Sequence, residues 1–280
     1  MNEGRIMYRY FLFDLDGTLT KSEKGIFNCI KYALDWAGIP YPDETVFRSF
    51  IGPSLYDSFT DKFNMDNDMA LKMVAKYRER YNVTGLFENE VYDGVYDMLE
   101  SLKAKGCTLA VATSKPTEPT LRILDKFGLS KYFDVVVGSN PDGTGSEKKL
   151  IISAVVEKLQ KLEGFDKSAA VMVGDRFYDI EGGKACGIDT VGVLYGYGSE
   201  EEFRGAGATH IVAKPCDVAE LGYNNQMYGN NRQGGMLAAA AKQADEEKKK
   251  MATSGGWYCK YCGAKNKPHD QYCKDCGKEK

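Results

Sequence analysis

The sequence lacks any apolar run that approaches the roughly 18 residues of a membrane-spanning helix. Its first residues, MNEGRIMYRY, do not have the pattern of a secretory signal peptide. Its 280 residues include only 8 prolines and 8 cysteines, and its composition is 43% hydrophobic and 28% charged. These values exclude a collagen-like chain, a fully disordered chain and a disulfide miniprotein. We therefore expect a cytoplasmic, globular protein of roughly two domains that does not associate with membranes.

Cysteines are scarce through most of the chain and then crowd together at its end. Four isolated cysteines occur in the first 240 residues, and the other four occupy the last 22. Lysine outnumbers acidic residues from residue 242 onward, although the net charge of the whole chain is −3. Both distributions divide the chain near residue 240, which predicts a separate C-terminal segment.

Short β-branched runs alternate with amphipathic helical periodicity over most of the chain. Strands are predicted at 8–13, 108–113, 133–137, 169–174, 189–194 and 210–212, and helices at 117–127, 147–162 and 178–186. Such alternation predicts an α/β fold, a Rossmann-like core with a parallel sheet covered on both faces.

A long helical stretch follows the first strand, with helices predicted near 22–37, 43–50, 54–63 and 67–82. It is too long for a loop, so we expect an inserted all-α cap. The predicted domains are a core (1–20 and 85–221), the cap (21–84), a flexible or helical linker (222–255) and a small C-terminal zinc ribbon (256–280).

Polar residues follow three of the predicted strands, and a lysine pair opens one helix. They are Asp14, Asp16 and Gly17; Thr113 and Ser114; Asp175 and Asp179; and Lys148 and Lys149. Each group alone could be turn or capping chemistry, but ligands bind beyond the carboxyl ends of parallel strands. Converging carboxylates would repel one another and a phosphate, and a bound Mg²⁺ would remove that repulsion. This pattern predicts phosphoryl transfer, with an aspartate as nucleophile and a second aspartate as acid and base.

Four motifs together resemble those of the haloacid dehalogenase-like phosphatases. They are FDLDGTLT, ATSKP, a lysine before a helix, and VGDRFYDI, in that order, and the likeness covers residues 7–220. The resemblance implies Mg²⁺ and catalysis through a phosphoaspartate on the enzyme.

The resemblance also implies a role for each matching residue. Asp14 is the expected nucleophile and Asp16 the general acid and base. Thr113 is expected to bind phosphate, together with Ser114 and Gly17. Asp175 is expected to bind the metal with Asp14 and the backbone carbonyl of Asp16, and Asp179 to order a metal-bound water or a loop.

The catalytic lysine is predicted from the apolar face of its helix. The face is defined by Ile151, Ile152, Val155, Leu159 and Leu162. Lys148 lies near the centre of that face, whereas Lys149 is turned by about 100°. We therefore predict that Lys148 carries the function.

The helical insert resembles the cap of the phosphoglycolate phosphatase-like branch. Its segment SFIGPSLYDSF would place Ile51, Gly52 and Arg48 near the substrate, although a solvated surface position is the favoured interpretation of Arg48. The stretch GSNPDGTGSEKKLII resembles bacterial 5′-nucleotidase-like members of that branch. The expected substrate is a small phosphorylated metabolite such as phosphoglycolate, a nucleotide or a sugar phosphate.

Two other functions stay open. Asp16 argues against dehalogenases and phosphonatases, but a phosphomutase of the β-phosphoglucomutase type would have the same motifs. A non-catalytic adaptor that acts through the tail is the other alternative.

The tail contains two Cys-x-x-Cys pairs separated by ten residues, Cys259 and Cys262 and then Cys273 and Cys276. This spacing predicts a structural Zn²⁺ held by four thiolates. The tail resembles short bacterial zinc ribbons and the RanBP2-type zinc finger, whose members bind RNA or ubiquitin. It has no arginine, which disfavours nucleic acid and favours a protein partner.

Overall fold

The computed structural model describes residues 7–141, 143–223, 257–258 and 265–266. The chain divides into two units, Met1–Tyr223 and Asn224–Lys280. Within the described residues, no helix combines the length and the apolar composition needed to cross a membrane.

The first unit is built on a six-stranded sheet in which every neighbouring pair is parallel. In chain order the strands of this unit are β1 (Tyr10–Phe13), β2 (Thr20–Lys21), β3 (Glu90–Val91), β4 (Thr108–Pro116), β5 (Val135–Ser139), β6 (Ala170–Gly174), β7 (Asp189–Val193) and β8 (His210–Val212). The order across the main sheet is β5-β4-β1-β6-β7-β8, and β2 pairs with β3 in a separate antiparallel ladder. The predicted parallel α/β core is confirmed.

Strand β1 lies in the middle of the sheet and all four of its residues are buried. Phe11 and Phe13 belong to one apolar cluster, and Tyr10 and Leu12 belong to another. Because successive side chains of a strand point to opposite faces, β1 anchors the packing on both sides of the sheet.

Helices connect the strands and cover the sheet. They are α1 (Glu23–Ala37), α2 (Glu44–Arg48), α3 (Leu55–Phe63), α4 (Asn67–Tyr81), α5 (Val95–Ala104), α6 (Thr117–Lys126), α7 (Lys148–Leu159), α8 (Phe177–Ala185), α9 (Glu200–Ala206) and α10 (Pro215–Glu220). Single 3₁₀ turns occur at Gly85–Phe87, Ser130–Tyr132 and Lys167–Ala169.

Helices α1 to α4 form a helical insert (residues 23–81) between β2 and β3 in the chain, and α4 packs against both α1 and α3. Two of its helices begin at side-chain caps. The Ser54 hydroxyl accepts the Asp57 N–H, and the Asp66 carboxylate accepts the Met69 N–H at 2.8 Å. Such caps satisfy backbone donors that the first turn of a helix leaves free.

Several boundaries differ from the sequence-based expectations. Helix α7 ends at Leu159 and not at residue 162, so Leu162 is exposed and does not extend the apolar face. The chain turns there toward Gly164, whose φ of 75° a right-handed helix cannot accommodate. Strand β4 continues to Pro116, three residues beyond its predicted end, because Pro116 pairs with Ser139 after a register shift.

The second unit is described at only four residues. Strand β9 (Trp257–Tyr258) pairs antiparallel with β10 (Lys265–Asn266). The four predicted zinc ligands, Cys259, Cys262, Cys273 and Cys276, and the predicted linker from residue 224 onward lie outside the described residues.

Candidate active site

The site lies at the carboxyl end of the sheet, where β1 and its neighbours stop. Asp14 follows β1 directly, and its N–H donates to the carbonyl of Val173 in β6 at 3.0 Å. Asp175 follows β6 in the same way. Since β1 and β6 are adjacent and parallel, the two carboxylates emerge side by side at one edge.

Three buried carboxylates meet at this edge. Oxygen atoms of Asp14, Asp175 and Asp179 all lie within 4.8 Å of one another. Burial raises the pKa of Asp175 well above its ordinary value, and the neighbouring Asp179 and Asp14 raise it further. Burial also raises the pKa of Asp179, against the opposing effect of the Lys148 ammonium. Concentrated negative charge with hard oxygen donors is the arrangement that a divalent cation such as Mg²⁺ stabilises.

Lys148 is the cation in the midst of these carboxylates. Its Nζ lies 2.8 Å from Asp14 Oδ2 and 2.8 Å from Asp179 Oδ1, and it donates to the Ala112 carbonyl at 3.2 Å. Burial lowers its pKa, but the charges of Asp14 and Asp179 outweigh that effect and hold the pKa of Lys148 above its ordinary value. Lys148 is therefore a charged, buried ammonium at the first position of α7, whereas its neighbour Lys149 is exposed.

Gly17 gives the loop after β1 its close approach to Asp175. Its φ is 85°, and a Cβ built there would lie 2.1 Å from Asp175 Oδ2. Thr18 donates its hydroxyl to Asp175 Oδ1 at 3.2 Å, and the Tyr197 N–H donates to Asp175 Oδ2 at 3.0 Å. The loop can therefore reach Asp175 only because residue 17 has no side chain.

Thr113 and Ser114 lie near the carboxyl end of β4 but have different surroundings. Thr113 is buried, and its Oγ1 accepts the Lys115 N–H at 3.3 Å. Ser114 donates its hydroxyl to the carbonyl of Ser146 at 2.8 Å. The Ser114 hydroxyl thus holds the segment that leads into α7.

Asp16 is paired with a residue that the sequence reasoning did not single out. Its Oδ2 lies 2.6 Å from Lys115 Nζ, and that ammonium also donates to the Tyr81 hydroxyl at 2.7 Å. Burial lowers the pKa of Lys115, but the charge of Asp16 outweighs this and raises it overall. The available signal was its position in the sequence, since Lys115 stands two residues after Thr113 in the ATSKP motif.

The helical insert contacts the core not only through Tyr81 but also near the predicted cap residues Ile51 and Gly52. The Arg176 guanidinium donates to the Ile51 carbonyl at 3.2 Å. A cavity of about 360 Å³ is lined by Gly52, Pro53 and Ser54 of the insert and by Ser114, Lys148 and Tyr178, among others. Arg48 does not line this cavity and is half exposed, paired with Glu44 at 2.7 Å and Glu23 at 3.4 Å.

Comparisons with known proteins agree with this geometry. A family model described as haloacid dehalogenase-like hydrolase matches residues 11–193. A 5′-nucleotidase of Pseudomonas aeruginosa is 39% identical over 79% of this chain and 97% of its own length. A phosphoglycolate phosphatase of Aquifex aeolicus is 34% identical over 76% of this chain and 96% of its own.

A solved structure gives the same result. The crystal structure of a predicted phosphatase from Clostridium acetobutylicum is 42% identical, with a TM-score of 0.71 over 76% of this chain and 97% of that one. The family match spans the residues of the site and most of the sheet, with β8 beyond its end. The chain therefore belongs to the haloacid dehalogenase-like hydrolases and has phosphatases among its relatives.

Proposed function

We propose that the protein is a Mg²⁺-dependent phosphomonoester hydrolase that acts through an aspartyl-phosphate on Asp14. One observation carries the proposal: the Lys148 ammonium lies 2.8 Å from Asp14 Oδ2 within a cluster of three buried carboxylates. The Lys148 ammonium would reduce the repulsion between the Asp14 carboxylate and an anionic phosphoryl group, and the crowded carboxylates would hold a metal ion that does the same.

The residues present fit a hard divalent cation. Asp14 and Asp175 offer carboxylate oxygens, and we propose the backbone carbonyl of Asp16 as a third donor. Burial and the neighbouring carboxylates of Asp179 and Asp14 raise the pKa of Asp175, which fits a site whose negative charge a cation would neutralise. Bound Mg²⁺ would neutralise these carboxylates and the phosphoryl oxygens. Asp179 is held by Lys148 and by the Arg176 N–H at 3.1 Å, so it is suited to ordering the loop or a water.

The proposed reaction has two chemical steps. An Asp14 oxygen attacks phosphorus, the ester P–O bond breaks, and Asp16 gives its proton to the leaving oxygen. Asp16 then removes a proton from a water molecule, which attacks phosphorus and breaks the P–O bond to Asp14. Leu15 holds the other Asp14 oxygen, Oδ1, through its N–H at 2.7 Å. Fixing the carboxylate in this way lowers the entropy cost of the attack.

Thr113 and the loop at Gly17 are the proposed phosphate-binding elements. The Thr113 oxygen already accepts an N–H, which leaves its own proton free for a phosphoryl oxygen. Ser114 would support this binding through the segment it holds.

The cavity beside Lys148 supports a small substrate. A volume of about 360 Å³ is at the small end of the range for ligand sites. We therefore assign a small phosphorylated metabolite, which includes nucleotides, phosphoglycolate and sugar phosphates. The helical insert, which forms part of the cavity wall, would act as the cap that selects among them.

The test is phosphate release from a panel of nucleotides, sugar phosphates and phosphoglycolate, with and without Mg²⁺. Asp14→Asn should abolish turnover, because the amide is a poor nucleophile. Asp97→Asn is the matched control, since Asp97 is exposed on α5. Equal Mg²⁺-dependent turnover by wild type and Asp14→Asn would show that the nucleophile is wrongly assigned.

A phosphomutase is distinguished by the same panel. A mutase would convert a sugar monophosphate into its isomer while releasing little free phosphate. Release of one phosphate per substrate consumed supports the hydrolase.

We further propose that Cys259, Cys262, Cys273 and Cys276 bind one structural Zn²⁺ and that the resulting ribbon contacts a protein. The spacing of the two pairs supports this, with no contribution from nucleic acid expected. Metal analysis should find one zinc per chain, and Cys259→Ser should lose it. Cys216→Ser is the control, because Cys216 is an exposed free thiol of the first unit. Protein purified without chelators that contains no zinc would exclude the ribbon.

A further inference from the structure

The Asp16 carboxylate is held by a chain of contacts that begins in the helical insert. Tyr81, the last residue of α4, accepts a hydrogen bond from Lys115 Nζ at 2.7 Å. The same Nζ lies 2.6 Å from Asp16 Oδ2. The chain of contacts runs from the insert through Lys115 to the residue proposed as general acid.

The three side chains in this series of contacts are largely buried. The Lys115 side chain is 8% exposed and that of Asp16 is 14% exposed. Tyr81 is buried, and its ring stacks on Tyr77 at 5.2 Å between centroids. The Lys115 ammonium also lies 5.0 Å from the Tyr81 ring centroid, within the range of a cation–π contact. A lysine confined in this way loses much of its rotamer freedom, so its ammonium occupies a defined position.

The two oxygens of Asp16 are used differently. Oδ2 is engaged by Lys115, whereas Oδ1 is buried and has no hydrogen-bond partner among the residues that the structure describes. A carboxyl that is anchored through one oxygen keeps the other in a defined position, and here that other oxygen is the one left without a partner for its hydrogen bond in the described part of the chain. Proton transfer requires this, because donor and acceptor must lie within hydrogen-bond reach.

The backbone explains why Lys115 can reach Asp16. Lys115 lies near the carboxyl end of β4, which runs beside β1, the strand that precedes Asp16. The Lys115 N–H is bonded to Thr113 Oγ1, and Pro116 pairs with Ser139 of β5. The backbone that carries Lys115 is therefore fixed by contacts at the lysine itself and at the residue after it.

We propose that Lys115 is a positioning residue that orients Asp16 for protonation of the leaving oxygen, and that Tyr81 of the insert holds Lys115 in place. This inference rests on the proposed phosphatase function. In the step concerned, the ester P–O bond breaks and the proton passes from Asp16 to the departing oxygen. Lys115 neither gives nor takes a proton.

The experiment compares two substrates that differ in their need for an acid. An alkyl phosphate releases a strongly basic oxygen, whereas p-nitrophenyl phosphate releases a stable phenolate that needs little protonation. Lys115→Met should lower kcat/KM for the alkyl phosphate about 100-fold, within the range of general acid catalysis, and that for the aryl phosphate less than about fivefold. A merely structural role would lower both values alike, and that result would overturn the proposal.

Three further variants make the test specific. Lys115→Arg keeps the cation and should recover part of the alkyl phosphate activity. Tyr81→Phe keeps the ring, and it should lower alkyl phosphate turnover selectively by several-fold; an unchanged substrate ratio would remove Tyr81 from the proposal. Lys158 is an exposed lysine of α7, so Lys158→Met should leave kcat/KM unchanged for both substrates. If Lys115→Met does not fold, Lys115→Arg and Tyr81→Phe still provide the substrate ratio.

Failure of this inference is separable from failure of the proposed function. A wild-type protein without Mg²⁺-dependent turnover of either substrate, or an active Asp14→Asn variant, would contradict the phosphatase assignment itself. Wild-type activity that needs Asp14 but falls equally for both substrates in Lys115→Met would contradict only the role of Lys115.

Discussion

Two buried lysines at one edge of the sheet are held in different ways. Lys148 contacts two carboxylates, Asp14 and Asp179, and all three residues belong to the α/β core. Lys115 contacts one carboxylate of the core, Asp16, and one hydroxyl of the helical insert, Tyr81. The first lysine balances the charge around the proposed nucleophile. The second one directly joins the insert to the proposed acid, so it can transmit a change in the insert to the chemistry.

Removing Lys148 should have the largest effect. Lys148→Met leaves Asp14 and Asp179 as buried carboxylates without their cation, and loss of one partner of a buried pair costs about 3–5 kcal/mol. We expect such a decrease in the free energy of unfolding, measured by urea denaturation without Mg²⁺, and loss of phosphate release. Lys149→Met should change stability by less than about 0.5 kcal/mol. A larger effect at Lys149 would mean that the wrong lysine was chosen.

Removing Lys115 should cost less stability. Lys115→Met deletes one ion pair and one hydrogen bond, and the Asp16 side chain retains some contact with solvent. Hydrogen bonds to charged groups contribute about 1.5–3 kcal/mol, so we expect a loss in that range by the same urea titration. A loss equal to that of Lys148→Met would show that the number of carboxylate partners does not decide how much each lysine stabilises the protein.

The stability of the metal-free protein should depend on pH because buried carboxylates crowd together around Lys148. The pKa values of Asp175 and Asp179 are raised in the folded protein, so the native state binds more protons than the unfolded chain. The stabilisation is fully present below the unfolded pKa of roughly 4 and is lost as pH rises through the higher folded values. We expect the free energy of unfolding of metal-free protein to fall over that range by about 1.4 kcal/mol per unit of pKa shift. Asp175→Asn should flatten this slope, and an unchanged slope would assign it to other groups.

The smallest effect is expected at an exposed ion pair. Arg48 contacts Glu44 and Glu23 but is half exposed, and such pairs contribute about 0–1 kcal/mol. Arg48→Ala should therefore leave kcat/KM unchanged and alter the urea midpoint only slightly. A marked rise in KM would instead place Arg48 at the substrate.

Local patterns were sufficient for the architecture and for the positions of the polar clusters. Continuous apolar runs predicted the parallel strands, and the carboxyl ends of β1 and β6 place Asp14 and Asp175 side by side. Short elements were missed, among them α9, α10 and the β2–β3 ladder. A two-residue strand such as Thr20–Lys21 exists only through its distant partner Glu90–Val91, so local periodicity does not reveal it.

The sequence by itself determined the α/β order of the core and the helical face on which Lys148 stands, because both depend on side-chain period along one element. It also contains the cysteine spacing on which the zinc proposal rests. Only the tertiary structure decided that Lys115 joins Asp16 to Tyr81 and that Ser114 bonds to Ser146. These contacts link segments that are far apart in the chain, and their geometry is set by how the insert and the strand ends pack.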